Sequence, residues 1–248
     1  MLVSAAVCPC PPLLVPEVAV GAAPELDELR AACSDAIAVL AASRPDRLVV
    51  TGPAEQRARG PYAQGSPGSF RGFGVGLEVR LGSPGTHGGE ESQVLGAGGQ
   101  QRELPASLAV GAWLLAQAGW AAAPLEGLGV GEPLAAERCI ETGRRIAEAA
   151  PRVALLTLGD ASACRTLKAP GYYDERAAGF DATVAEALRT ADTPALADLD
   201  TELAADLQAV GRAPWQVLAG AADGADLHGE LLYDAAPYGV GYLVATWS

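Results

Sequence analysis

Residues 153–164 read VALLTLGDASAC, a run of strand length, apolar but for Thr157, that closes on a Gly-Asp turn. A short apolar run bounded by a turn predicts a strand buried on both faces, as inside a parallel sheet. Two other runs share the pattern. Leu2 to Val7 stops at the proline-rich turn Pro9 to Pro12, and Leu48 to Thr51 stops at Gly52-Pro53. Between them Leu26, Leu29, Ala32, Ala36 and Leu40 keep helical spacing, which predicts a helix from about Glu25 to Ser43. A β-α-β succession implies a parallel pair joined by a right-handed crossover. The expected fold class is α/β, a largely parallel central sheet with helices on both faces, built as one domain over 1–248.

Working outward, Gly60 to Gly99 is rich in Gly, Ser and Pro, with one alternating stretch, Gly74 to Leu81, that fits an edge strand. A loop is expected over 83–101, and His87 lies inside it as a solvated loop residue. Further helices are expected over Pro105–Ala118, Pro133–Ala149, Glu175–Thr190 and Pro194–Val210, with a short one starting near Pro214. Gly239 to Thr246 reads as the last strand. The glycines of Gly127 to Gly131 resemble a phosphate cradle, but no P-loop lysine follows, and the segment reads as a strand end and turn.

Length and charge narrow the function classes. A chain of 248 residues can bury a sizeable core. A net charge of −13 with seventeen scattered basic residues excludes sequence-independent nucleic-acid binding, which needs clustered Lys and Arg. Met1 to Val7 has no basic flank and runs into Pro9, Pro11, Pro12 and Pro16, so neither a signal peptide nor a membrane span is expected. Five cysteines without framework spacing point to reduced thiols and a cytoplasmic protein.

Ligands of open α/β sheets collect beyond the carboxyl ends of the strands. Three strand ends compete for that place: Cys8 to Pro12, Thr51 to Ala54 and Gly159 to Cys164. Neither histidine falls there, and His228 is expected in a loop or at a sheet edge. Cys10 and Cys164, with Cys8 and Asp160 near them, are candidates for a thiolate metal site or for small buried apolar residues. Cys-x-Cys shares one face only if the segment stays regular, and Pro9 argues against it. Turn N–H groups and Arg165 would lower the pKa of Cys164, although no histidine stands by as base. Asp160 is expected to accept backbone hydrogen bonds within its own turn. Arg165, Lys168, Tyr172 and Tyr173 would suit a small anion or aromatic ligand, the alternative being a surface loop whose tyrosines pack inward. Cys33 and Cys139 belong to helix cores.

Four segments carry a resemblance: Val7 to Glu17 (VCPCPPLLVPE), Asp46 to Ala54 (DRLVVTGPA), Leu156 to Asp181 (LTLGDASACRTLKAPGYYDERAAGFD) and Tyr238 to Val244 (YGVGYLV). Together they resemble the catalytic B subunit of class III extradiol ring-cleavage dioxygenases (LigB), whose fold the Memo-like proteins share. The chain is most similar to the LigB-like proteins of high-GC actinobacteria. In the enzymes a Pro-His-Pro-Pro motif supplies an iron ligand where this chain has Cys10. A Ser-Pro-His supplies another where it has Ala54, and a Gly-Asp-x-Ser-His turn supplies the acid/base histidine where Ala163 follows Ser162. The third ligand, a glutamate, corresponds to Ala209. Ring cleavage needs ferrous iron held by two imidazoles and a carboxylate, so the resemblance implies that Fe(II) is absent and that no cofactor is expected. The implied protein is a degenerate relative, a non-catalytic or re-purposed binder of a small molecule or protein. The alternative is an enzyme, either a ring-opening dioxygenase with ligands from other positions or one using cysteine-based metal or thiol chemistry. Its pocket would hold Cys8, Cys10, Ala54, Asp160, Ser162, Ala163, Cys164 and Ala209. A homo-oligomer is compatible with the sequence; nucleic-acid and membrane partners are not expected.

Overall fold

In the computed structural model, which describes residues 1–83 and 102–248, the run at 153–158 is the middle strand of a seven-stranded sheet. In chain order the strands are β1 (Leu2–Cys8), β2 (Arg47–Pro53), β3 (Gly60–Tyr62), β4 (Pro67–Ser69), β5 (Glu78–Arg80), β6 (Leu125–Val130), β7 (Val153–Leu158), β8 (Gly229–Ala235) and β9 (Tyr242–Trp247). The sheet order is β3-β6-β2-β7-β1-β9-β8. β6, β2, β7 and β1 run parallel, while β3, β9 and β8 are antiparallel additions at the two edges. The α/β class expected from the apolar runs is the one observed.

The helices are α1 (Pro16–Ala19), α2 (Asp27–Ala42), α3 (Ala106–Gln117), α4 (Ala136–Ala147), α5 (Ala177–Thr190), α6 (Thr193–Ala197), α7 (Thr201–Asp206) and α8 (Arg212–Ala221). They cover both faces. α2 and α3 bury Leu29, Ile37, Leu40, Leu108 and Leu115 against Val50, Leu156 and Leu158 on one side. On the other, α4, α5 and α8 bury Cys139, Ile146, Val184, Leu188 and Trp215 against Val49, Leu155 and Ala245. Each fully buried Val or Leu contributes about 1.5–3 kcal/mol of hydrophobic stabilisation before conformational entropy is subtracted. Every residue of α8 is buried. It is held tightly against α4, because a Cβ on Gly143 would stand 2.0 Å from the Val217 carbonyl oxygen and one on Gly220 2.1 Å from that of Ile140.

Several expectations need correction. The helix expected over Pro194–Val210 is two short helices, since Asp200 caps a new start by accepting from the Glu202 and Leu203 N–H groups at 2.8 and 3.0 Å. Local side-chain capping outweighs the continuous helical spacing there. The Gly74–Leu81 stretch gives only β5, which pairs with β4 in a separate two-stranded ribbon rather than at an edge of the main sheet. Gly127 and Gly129 lie within β6 rather than in a turn. A Cβ on Gly129 would meet the Ala58 carbonyl oxygen at 2.4 Å and one on Gly131 would meet Arg59 Nε at 2.3 Å. These glycines admit the close approach of the 54–59 loop. Apart from Ser83, the loop expected over 83–101 lies outside the described residues, as does His87. Among the described residues no helix is long and apolar enough to cross a membrane.

Candidate functional site

The carboxyl ends of the central strands place the site. Cys8 stands opposite Leu158 where β1 pairs with β7, and the Gly159 N–H donates to the Cys8 carbonyl at 3.0 Å, so the register runs on past both strands. Carried further it sets Cys10 beside Asp160, and the Cys10 N–H donates to Asp160 Oδ1 at 2.8 Å. Across β7, Thr51 stands opposite Thr157, which brings Ala54 level with Asp160. Across β1, Val7 stands opposite Ala245 of antiparallel β9, which brings Tyr242 level with Cys10. Ala54, Asp160, Cys10 and Tyr242 therefore form one row over four adjacent strand ends, about 5 Å apart. Side chains alternate along a strand, so the row shares the face of Cys8, Leu158 and Val244. Cys8 and Cys10 do share a face; Pro9, just beyond the end of β1, leaves the alternation intact.

Asp160 is bonded across the strand ends, not within its own turn as expected. Protein encloses the carboxyl on most sides while leaving it some solvent access. Burial raises its pKa to about 7, and the Cys10 N–H, which favours the charged form, pulls the other way. Oδ2 receives no hydrogen bond from any described residue. Tyr242 is 2% exposed, and its hydroxyl also has no partner among the described residues. Its pKa is raised by burial first and by Asp160 second. Burial, then Asp160 and Glu132, hold the Cys10 thiol well above its ordinary value.

The other end of the same turn is fully bonded. Asp181, on α5, accepts from the Ser162 N–H at 2.8 Å, the Ser162 hydroxyl at 2.9 Å and Arg165 Nη1 at 2.9 Å. Burial still raises its pKa above the ordinary value. The Gly239–Gly241 segment runs alongside through Ala161 N–H to Gly241 O and Gly241 N–H to Ser162 O, both 2.8 Å. A Cβ on Gly241 would meet Asp181 Oδ2 at 2.5 Å, so only glycine fits. Ala163 and Ala209 flank the turn: the Ala163 N–H donates to Leu207 O, and the Gly211 N–H to Asp160 O, each at 2.9 Å. Cys10, Ala54, Ala163 and Ala209 are 7%, 7%, 8% and 5% exposed, small side chains just beneath the surface.

Neither a protein-family model nor a curated protein matches the chain. Among solved structures it is similar to the uncharacterized protein JW3007 from Escherichia coli K12, with 14% identity over 99% of each chain and a TM-score of 0.53. At that identity the likeness shows the fold alone.

Other expected site residues do not join the row. Arg165 is taken up by Asp181, and Lys168 is exposed. Tyr172 and Tyr173 are 66% and 54% exposed, so they do not pack inward. Cys164 lies in the core layer opposite that of Cys10, with its thiol donating to Gly171 O and Leu207 O. Its pKa is raised, by burial first and then by Asp174 and Asp181, not lowered by Arg165. Cys33 and Cys139 are buried on their helices, and burial pushes the Cys139 thiol up to about 11. His228 is exposed beside β8, its backbone paired with Ser248. Among the described residues no group of three or more His, Cys, Asp or Glu is placed to hold a metal ion. The sequence reading missed Tyr242 and Asp181 as site residues. Both stood inside the quoted segments, but only the β1–β9 register and the fold of α5 onto the turn single them out.

Proposed function

We propose that this chain is a re-purposed relative of the class III extradiol dioxygenases, binding a small molecule at the carboxyl edge of its sheet without the parent chemistry. The observation that carries the reading is the row Ala54–Asp160–Cys10–Tyr242, in which two positions that the resemblance matches to metal ligands stand on either side of a mostly enclosed carboxyl with one oxygen unbonded among the described residues. Ala163 and Ala209 border the same turn. Ferrous iron does not fit this donor set: methyl groups cannot ligate, and the Cys10 thiol is held protonated at neutral pH. Thiol chemistry is disfavoured by the same shift, since the thiolate is the nucleophile and both Cys10 and Cys164 are pushed away from it.

Two measurements on the untagged protein test the reading. Elemental analysis and catechol turnover with added ferrous iron are expected to give neither stoichiometric iron nor ring-cleaved product; both appearing together would replace the proposal with an active dioxygenase. A thermal-shift screen over neutral carbonyl, phenolic and anionic metabolites is expected to find a stabilising ligand whose effect is lost in Asp160→Ala. No stabilising compound in any of the three classes would remove the small-molecule reading.

A further inference from the structure

The row holds two groups that the fold has no use for. Asp160 spends one carboxyl oxygen on the Cys10 N–H and leaves Oδ2 unbonded, and the buried Tyr242 hydroxyl is unbonded among the described residues. Neither oxygen is sealed from solvent, so a ligand that hydrogen-bonds to them takes the place of water at each. Two strand spacings, roughly 10 Å, separate the backbones that carry the two groups, with Cys10 as the floor between them.

We infer that Asp160 and Tyr242 act together on a small, neutral carbonyl compound, Asp160 moving a proton at the carbon beside the carbonyl while Tyr242 holds the carbonyl oxygen. The inference rests on the small-molecule reading of the site and names its substrate class. Ionised Oδ2 takes the proton from the α-carbon, the C–H electron pair becomes the carbon–carbon double bond, and the carbonyl π pair moves onto oxygen, where the Tyr242 O–H donates to it. Asp160 exchanges the captured proton with solvent and returns one to the same carbon as the oxygen electron pair re-forms the carbonyl, so the net result is exchange of the α-hydrogen. Atoms and electrons balance with no oxidant, reductant or metal. Developing charge on a carbonyl oxygen is what a preorganised hydroxyl in a water-poor site stabilises best.

The electrostatics fit a base working near neutrality. The groups facing Asp160 are Cys10 at the end of β1, Cys33 on α2 and Tyr242 on β9, all uncharged at neutral pH. Glu132, from the connection after β6, acts on Cys10. No cation is among them, and Arg165 is bound to Asp181. Arg59, packed on Gly131 beyond Ala54, lies outside the Asp160–Tyr242 pair, so the part of the substrate held between those two groups is assigned as neutral. Burial holds the Asp160 carboxyl at about 7, so it exists in both protonation states where it would work.

The test is α-proton exchange of cyclohexanone in deuterated buffer, followed by proton NMR, with binding read from saturation transfer to the probe's own ring signals. The wild-type chain is expected to exchange the probe at least a hundredfold faster than buffer, with a rate that rises through pH 7 and then levels. Asp160→Asn, which keeps size and the Cys10 contact, should lose that acceleration. Tyr242→Phe should lose about tenfold while still binding the probe. Cyclohexanone bound without exchange overturns the proton transfer and leaves small-molecule binding standing. Anionic probes binding where neutral ones do not overturns the assigned substrate class. No binding by either removes the inference and the reading beneath it.

Discussion

Asp160 and Asp181 meet the same turn from opposite ends, and burial raises the pKa of both, yet the chain treats them differently. Asp181 receives two N–H or O–H donors from Ser162 and one from Arg165, so both of its oxygens are committed. Among the described residues Asp160 receives one donor and keeps an oxygen free. A buried carboxylate whose acceptors are filled works as a rivet between segments, here tying α5 to the turn after β7. One left partly unfilled costs stability, and that cost is retained at places where a group has a reaction partner.

The widest difference should appear on removing the rivet. Asp181→Ala leaves the Ser162 N–H and hydroxyl unpaired in the interior and Arg165 without its counter-charge, for which a loss of about 3 kcal/mol is expected. Urea denaturation followed by circular dichroism measures it. A loss under about 1 kcal/mol would mean that the knot is an ornament and that the contrast with Asp160 has no energetic content.

Asp160 should behave in the opposite sense, and its pH dependence gives the sign. Its folded pKa of about 7 lies above the ordinary 3.8, so the folded state binds the proton more tightly than the unfolded chain does. The stabilisation is complete below pH 3.8 and is lost as pH rises through about 7. A shift of that size corresponds to about 4 kcal/mol at most, which solvent access to the carboxyl cuts to about 2 kcal/mol. Asp160→Asn removes a charge that burial disfavours. It should match the wild type near pH 4 and be about 2 kcal/mol more stable at pH 8, as read from denaturation midpoints at the two pH values. An asparagine variant less stable than wild type at pH 8 would place Asp160 among the rivets.

How much of this contrast could be read in the residues depends on how local its causes are. The runs at 2–7, 48–51 and 153–158 gave the parallel centre because burial on both faces leaves an unbroken apolar stretch. The turn at Gly159-Asp160 was legible as a ligand-side strand end. The row was not, because Tyr242 lines up with Cys10 only through an antiparallel register between segments more than two hundred residues apart. β3 and β4, of three residues each and holding Pro61 and Pro67, have no length in which a period could show. The 194–210 break was missed because one side chain, Asp200, decides it against a pattern that continues on either side. Arg165 looked available for a ligand or for Cys164 because nothing in sequence spacing brings Asp181 back to it.

The opposite face of the same strands supplies the smallest test and the cleanest control. Thr51 and Thr157 stand opposite each other, fully buried, one turn of pleat below the row, with α8 packed over β2 and β7. Among the described residues neither hydroxyl has a partner, and neither does the indole N–H of the buried Trp215 on α8. These polar atoms resemble the free oxygen of Asp160 in lacking a partner, but they are closed off in the opposite core layer and carry no charge. If lack of a partner alone marked a functional group, they would qualify as well as Asp160 does. Thr157→Val keeps the shape and removes the hydroxyl, so it should stabilise the fold by about 1 kcal/mol, independently of pH, and leave ligand binding at the row unchanged. The dependence on pH separates the two cases: Asp160→Asn should gain stability only as pH rises, and Thr157→Val by the same amount throughout. A loss of stability in Thr157→Val would instead mean that an internal water bridges the threonines and Trp215, and that this face is as fully wired as the knot at Asp181.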